Sequence, residues 1–283
     1  MKKMSIVKEI GDLRRARSLL QAPVGLVPTM GFLHDGHLAL ARRARQECAS
    51  VAVSIFVNPA QFGPSEDLSR YPRNLERDLS LLEPLGVDLV WTPTPEIMYP
   101  AGFQTWVTVE NLTLPLEGAV RPGHFRGVIT VVAKLFNVLQ PQMAYFGQKD
   151  AQQAAVIRRM ARDLDFPLEI VICPTVREAD GLAMSSRNAY LDPDERRAAT
   201  VLFRALTAVQ AAHREGERDA ENLRRIAREI VATEPLAQLQ YVSCADYDTL
   251  EELDTAAGKA LLSMAVYVGK TRLIDNFVLE TWR

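Results

Sequence analysis

Apolar positions along this chain change texture once. Through the first half, short near-continuous apolar runs fall at 26–27, 51–57, 87–91, 143–146 and 168–176. Between them, segments at 37–48, 74–85, 128–139 and 151–164 place apolar residues at three- and four-residue spacing. The runs are rich in Val and Ile and too short for helices, so they predict strands. The spaced segments predict amphipathic helices. Strands that are apolar at consecutive positions bury both faces, which requires a parallel sheet covered by helices on either side.

Beyond Asn188 the alternation stops. Asp192-Pro193-Asp194-Glu195 is an N-cap followed by proline at the first helical position, and it predicts a helix running towards Arg214. Gly216 interrupts, Asp219 restarts, and a second helix reaches about Thr233. Three strand-like runs follow at 240–247, 260–268 and 273–279 with no helix between them. The expected fold class is α/β: a Rossmann-like parallel sheet with helices on both faces over residues 1–180, then a smaller C-terminal α+β domain of two helices and a three-stranded sheet over 181–283. The change of texture places the boundary near 176–190. A length of 283 residues suits two such domains.

Composition narrows the partners. Lys and Arg number 33 against 35 Asp and Glu, for a net charge of −2, so neither nucleic acid nor an anionic membrane surface is an expected partner. No stretch approaches the roughly 20 apolar residues of a membrane span. The first residues, Met1-Lys2-Lys3-Met4-Ser5-Ile6-Val7-Lys8-Glu9, are charged and do not read as an export signal. Cys48, Cys173 and Cys244 are far apart and odd in number, with no Cys-x-x-Cys, which argues against a disulfide framework or thiolate zinc and for a reducing cytoplasm.

In a parallel sheet, ligands bind beyond the carboxyl ends of the strands, and the unusual residues of this chain follow strands. Met30-Gly31-Phe32-Leu33-His34-Asp35-Gly36-His37 stands between a strand and a helix. Two histidines three residues apart share one face of the first helical turn, next to its unpaired N–H groups and positive dipole end. This predicts a site for a phosphate chain, with two imidazole donors and with glycines where backbone approaches ligand.

Asn58-Pro59-Ala60-Gln61 ends the next strand with two neutral amides that suit a small polar acid, although Asn-Pro also favours a turn by itself. Gly147-Gln148-Lys149-Asp150 follows a strand in the same way, with Gly147 as the turn, Lys149 as a charge for phosphate, and Gln153 on the helical turn beyond. Met184-Ser185-Ser186-Arg187 repeats the layout with two hydroxyls and a guanidinium. Arg121-Pro122-Gly123-His124-Phe125-Arg126-Gly127 reads as a loop suited to an anion or as plain solvated surface. Gly269-Lys270-Thr271 is not a P-loop, because Met264 stands where its first glycine is needed, and no Gly-x-Gly-x-x-Gly or Gly-x-Ser-x-Gly occurs.

The paired histidine turn resembles the nucleotide-binding signature of the nucleotidyl-transferase and class I aminoacyl-tRNA synthetase superfamily. With the Ser54–Phe62, Glu66–Arg73, Arg121–Val128, Phe146–Asp150, Leu182–Asn188 and Arg272–Asn276 stretches added, nearly the whole chain resembles the pantoate–β-alanine ligase family. That resemblance implies ATP-dependent condensation of pantoate with β-alanine through a pantoyl adenylate, with Mg²⁺ accompanying ATP, in a cytoplasmic homodimer whose smaller domain closes over the site.

It implies that Met30 to His37 bind ATP, with His34 and His37 on the phosphates and His37 as proton donor. Lys149 would act with them, within a nucleotide segment of Gly147, Gln148, Lys149 and Asp150. Val176 would line the adenine, and Met184, Ser185, Ser186 and Arg187 would cover the triphosphate. Gln61 and Gln153 would hold pantoate, Gln61 would also reach β-alanine, and Asp78 would be a magnesium ligand. Some relatives carry a second acid where this chain has Arg77. Two other readings compete: a different nucleotidylyltransferase sharing the histidine turn, and a non-enzymatic nucleotide-binding module. The neutral glutamines disfavour a phosphorylated acceptor, and the near-neutral charge disfavours RNA.

Overall fold

The computed structural model describes residues 4–64 and 66–280. Its chain contacts divide into two units, residues 1–148 with 152–174, and residues 149–151 with 175–283.

The first unit is a six-stranded parallel sheet. Its strands are β1 (Ser5–Val7), β2 (Val24–Thr29), β3 (Ser50–Ile55), β4 (Leu89–Trp91), β5 (Met143–Gly147) and β6 (Glu169–Cys173), in the order β1-β4-β3-β2-β5-β6. Its helices are α1 (Ile10–Ser18), α2 (Asp35–Glu47), α3 (Leu75–Leu82), the single turns α4 (Pro95–Met98) and α5 (Glu117–Val120), α6 (His124–Leu139) and α7 (Ala151–Asp163), the last beginning in the other unit's 149–151 segment.

Successive strand residues point to opposite faces, and the core divides accordingly. Leu26, Ala52, Leu89, Trp91, Ala144 and Phe146 join one apolar cluster with side chains of α1, α6 and α7. Val27, Val51, Val53, Val90 and Tyr145 join another with α2 and α3. Each fully buried aliphatic or aromatic side chain contributes about 1.5–3 kcal/mol, so a strand buried on both faces is stabilised along its whole length. That is why these strands read as continuous apolar runs.

The central strands end level. Register pairs Thr29 of β2 with Ile55 of β3, and Leu26 of β2 with Ala144 of β5. Between β2 and β5 the strand order reverses direction, so the carboxyl ends of β3, β2 and β5 lie side by side at a switch point, the place where ligands bind in open α/β sheets.

The second unit carries α8 (Pro193–Ala198), α9 (Val201–Arg214) and α10 (Ala220–Ala232), then strands β7 (Ala237–Asp246), β8 (Ala260–Val268) and β9 (Thr271–Leu279) in one antiparallel sheet. Alternate residues of β8, namely Leu262, Met264, Val266 and Val268, pack against Leu202, Leu206 and Val209 of α9 and Leu223, Ala227 and Val231 of α10.

The expected fold class holds, with three differences of detail. β1 and α1 add an edge that periodicity did not mark, because β1 is three residues long with an exposed first pair, and α1 buries only Leu13. The helix expected from Asp192 to Arg214 is two helices. Asp192 does cap the first, accepting from Asp194 and Glu195 amides while Glu195 accepts from the Asp192 amide. Finally, α6 starts at His124, so Gly127 lies inside a helix and not in the loop before it. Among the described residues no helix is long and apolar enough to cross a membrane.

Candidate active site

The turn after β2 is held from both ends. Gly31 has φ +81° and Phe32 φ +50°, two consecutive left-handed residues, the second unusual for a side-chain-bearing residue. A Cβ on Gly31 would lie 3.0 Å from Ile55 Cγ2 and 3.1 Å from Asp78 Oδ2, so glycine fits on both counts. The turn persists because the buried Asp78 carboxylate accepts the Phe32 amide at 2.8 Å and the Leu33 amide at 2.7 Å. Arg77 adds the opposite pull: its guanidinium donates to the Leu33 carbonyl at 2.8 Å and lies 5.3 Å from the centre of the Phe32 ring. Burial pushes the Asp78 carboxyl up, while the two amide hydrogen bonds and Arg77 pull it down.

The two histidines cap α2 by each other's backbone. His34 is the N-cap, and its Nδ1 accepts the Gly36 amide at 3.2 Å. His37 sits three residues into the helix, and its Nδ1 faces the His34 amide at a long 3.4 Å. Their ring centres are 4.1 Å apart. A neutral imidazole accepting on Nδ1 carries its proton on Nε2, so each ring has its donor on the edge away from the cap. Of the amides at this helix start, those of His34 and Gly36 meet imidazole Nδ1 atoms and that of His37 meets the His34 carbonyl, while Asp78 takes the Phe32 and Leu33 amides just before it. Both imidazoles thus stand at the positive end of the helix dipole.

The turn after β3 is similarly fixed. Buried Asn58 donates to Gln61 Oε1 at 3.0 Å and to the Gly127 carbonyl at 3.1 Å, and accepts from the Ala60 amide and the Tyr99 hydroxyl at 3.2 and 2.8 Å. Burial pushes the Tyr99 phenol up to about 12, against a smaller opposite pull from Asn58, so it remains a donor. Asn58 is thus occupied with shaping the turn. Gln61, with its oxygen taken, presents its NH₂ group 3.1 Å from Met30 Sδ, beside the histidine turn.

The Gln61 carbonyl is held too, by His124 Nδ1 at 2.8 Å, while Arg121 donates to His124 Nε2 at 3.1 Å. Burial first, then the Arg121 charge, hold His124 down to about 4, so this ring stays neutral with its proton on Nδ1. Arg121 in turn grips Glu66 through two hydrogen bonds of 2.8 and 2.7 Å, and Arg126 lies 4.9 Å from the Trp106 ring centre. The 121–127 segment, readable as an anion site, instead braces the Gln61 turn.

Gly147 closes β5, paired with Cys173, and the bend comes one residue later, in a 3₁₀ turn of Gln148–Asp150. Gln153 is half-buried on the first turn of α7. In the second unit, Lys149 Nζ is 3.5 Å from Asp150 Oδ1. Val176 accepts the Met184 amide at 3.0 Å across a tight hairpin. Ser185 Oγ accepts the Arg187 amide at 3.2 Å and caps a 3₁₀ turn that begins at the buried Ser186.

Sequence reasoning missed the bracing role of Asp78, for which one signal existed: it stands four residues before Leu82 on the same face of α3, the buried face, where an acid needs donors. The Glu66–Arg121–His124 chain gave no such signal, because its members are up to 58 residues apart in sequence (124 − 66).

The chain is similar to known proteins along nearly its whole length. The family model described as pantoate–β-alanine ligase matches residues 4–278. The pantothenate synthetase of Roseiflexus castenholzii is 62% identical over 277 residues, covering 98% of this chain and 100% of that one. The crystal structure of pantothenate synthetase from Thermus thermophilus superposes with a TM-score of 0.94 at 50% identity, covering 98% of this chain and 100% of that one. The Francisella tularensis pantoate–β-alanine ligase, crystallised with β-γ ATP and β-alanine, gives 0.81 at 34% identity, with 99% of each chain covered.

Proposed function

The chain belongs to the pantoate–β-alanine ligase family, and from that membership we propose how its residues divide the work. It is an ATP-using ligase that condenses pantoate with β-alanine. In this reading the pantoate carboxylate attacks the α-phosphorus of ATP, forming pantoyl adenylate and releasing pyrophosphate. The β-alanine amine then adds to the acyl carbon, and AMP leaves as the amide forms.

Such chemistry asks the protein mainly for alignment and for donors where charge develops. His34 and His37 direct Nε2–H groups at phosphate oxygens, with His37 as the proton donor, and Lys149 adds a fixed positive charge. Gly147, Gln148, Lys149 and Asp150 contact the nucleotide, Val176 lies against adenine, and Met184 to Arg187 cover the triphosphate. The Gln61 amide and Gln153 bind pantoate, and Gln61 also meets β-alanine. The observation that carries the reading is the reciprocal capping of α2 by the two histidines, which holds both rings, 4.1 Å apart between centres, at the helix start that follows the central strand. Family membership also supports a cytoplasmic homodimer.

Magnesium would neutralise phosphate charge as the ATP complex, held largely by phosphate oxygens and water. Asp78 does not fit as its ligand. The side chain is 1% exposed, and each oxygen accepts a backbone amide. We assign it to the turn and route no step through the ion. Asp78→Asn should then lower unfolding free energy by about 1–3 kcal/mol, because an NH₂ group must face a backbone N–H. It should also raise the KM for ATP. Restoration of that KM by added magnesium would return Asp78 to the metal.

The adenylate step is tested by isotope exchange between pyrophosphate and ATP without β-alanine. Exchange should require pantoate, and AMP should appear only once β-alanine is added. Absence of exchange in folded protein that binds ATP would sink the adenylate route.

A further inference from the structure

The second unit holds a buried polar pair that the mechanism above does not use. The other buried positions of β9 are Thr271, Leu273 and Leu279, yet Asp275 is 2% exposed and Asn276 4%. Burying such groups costs free energy unless each finds partners, and apolar residues there would leave nothing to satisfy. Adjacent strand residues face opposite ways, and each of these side chains meets a different segment.

Asp275, on the side of Leu273 and Phe277, accepts two hydrogen bonds from the Arg177 guanidinium, at 2.6 and 2.9 Å. That guanidinium lies 5.0 Å from the centres of both the Phe203 and Phe277 rings, and also donates to the Gly181 carbonyl at 3.0 Å. Arg177 pairs with Ala183 in the hairpin that carries Val176 at one end and Met184 at the other. Asn276 donates through Nδ2 to the Lys149 carbonyl at 2.8 Å, and its own amide donates to Asp275 Oδ1 at 2.8 Å. One dipeptide thus holds the main chain at Lys149 and the hairpin between Val176 and Met184.

We propose that Asp275–Asn276 is the positioning element for the nucleotide-contacting segments of the second unit, Asn276 acting through Lys149 and Asp275 through Arg177. The proposal rests on the reading of Lys149, Val176 and Met184 as nucleotide contacts. Neither Asp275 nor Asn276 touches the reacting atoms in it. Their effect is to fix where the lysine's main chain and the hairpin stand before ATP arrives, and loss of that placement is felt as misalignment.

The test uses the full-length protein and pantoate-dependent pyrophosphate exchange, with steady-state KM values alongside. Asn276→Ala, and Asn276→Asp, which keeps the shape but replaces the donor with an acceptor, should each lower kcat/KM for ATP by a factor of about 10 to 100. The KM for β-alanine should stay within about twofold. Arg177→Lys keeps the charge but loses the paired geometry and the flat stacking surface, and should shift the ATP parameters in the same direction. Adding Asn276→Ala to Lys149→Ala should cost little beyond Lys149→Ala alone, since both act through one contact.

Lys149→Ala losing exchange while Asn276→Ala keeps wild-type ATP kinetics would overturn the positioning role and leave the lysine's role standing. Near-normal exchange in Lys149→Ala would overturn the underlying reading. Equal losses for ATP and β-alanine, tracking only the amount of folded protein, would reduce the pair to a structural role and also overturn the proposal.

Discussion

His37→Ala should lower pantoate-dependent exchange by a factor of about 10² to 10³, the usual consequence of removing one donor aimed at developing charge. The fold should survive. The side chain is only half-buried, and its contact with the His34 amide is 3.4 Å long, so little capping stabilisation is lost. Alanine is also the better helix former, which offsets part of that loss. His34 keeps its own bond to the Gly36 amide, so the helix start stays defined. The melting midpoint should therefore move by no more than a few degrees while the exchange rate collapses. Near-normal exchange in a folded His37→Ala protein would remove this side chain from the chemistry.

Gly127→Ala should be damaging in a way its position in a helix hides. Replacing an interior helical glycine by alanine ordinarily stabilises by about 1 kcal/mol. Here the added Cβ would stand 2.2 Å from the Ala60 oxygen, 2.4 Å from its carbonyl carbon and 2.7 Å from the Gln61 nitrogen. All three are backbone atoms and cannot rotate away. Either α6 or the 58–61 turn has to shift, and that turn is already tied by Asn58 to the Gly127 carbonyl. The expected loss is about 3 kcal/mol of unfolding free energy, measured by urea titration. Because Gln61 moves with the turn, kcat/KM for pantoate should fall by about 10², with a smaller change for ATP. A variant as stable as the parent, with unchanged pantoate kinetics, would mean that the close approach of α6 to this turn has no functional weight.

How much of this was legible in the sequence depends on whether the cause was local. β2, β3 and β4 lie buried on both faces, and their Val, Leu and Ile runs declare it. β1 pairs with β4 at the sheet's edge over three residues, too short for any period to register. The histidine turn was legible because three-residue spacing and the following helix lie in one stretch of chain. What it became was not legible, since the partner of its amides, Asp78, is 45 residues beyond Leu33 (78 − 33). The 121–127 segment misled for the same reason. Two arginines and a histidine look like an anion site until Glu66, Trp106 and the Gln61 carbonyl are seen to occupy them. Residue type announces what a side chain can do, and distant pairing decides what it is left to do.

The level endings of β3, β2 and β5 bear on which parts of this protein can be altered safely. The turns proposed to meet substrate follow the carboxyl ends of these strands, and the opposite rim is occupied by connections such as 20–23, 86–88 and 140–142, whose contacts are internal ties. The Gln142 side chain accepts the Val24 amide, and Arg17 holds the Leu139 and Gln140 carbonyls. Gly86 is tied as well: it has φ +71° at the end of a short 3₁₀ turn, which favours glycine, and its carbonyl accepts from Arg45 at 3.3 Å. Gln21 in the 20–23 connection is the better place for a spectroscopic label or immobilisation tag, being exposed and held through its backbone amide by Ser50 Oγ.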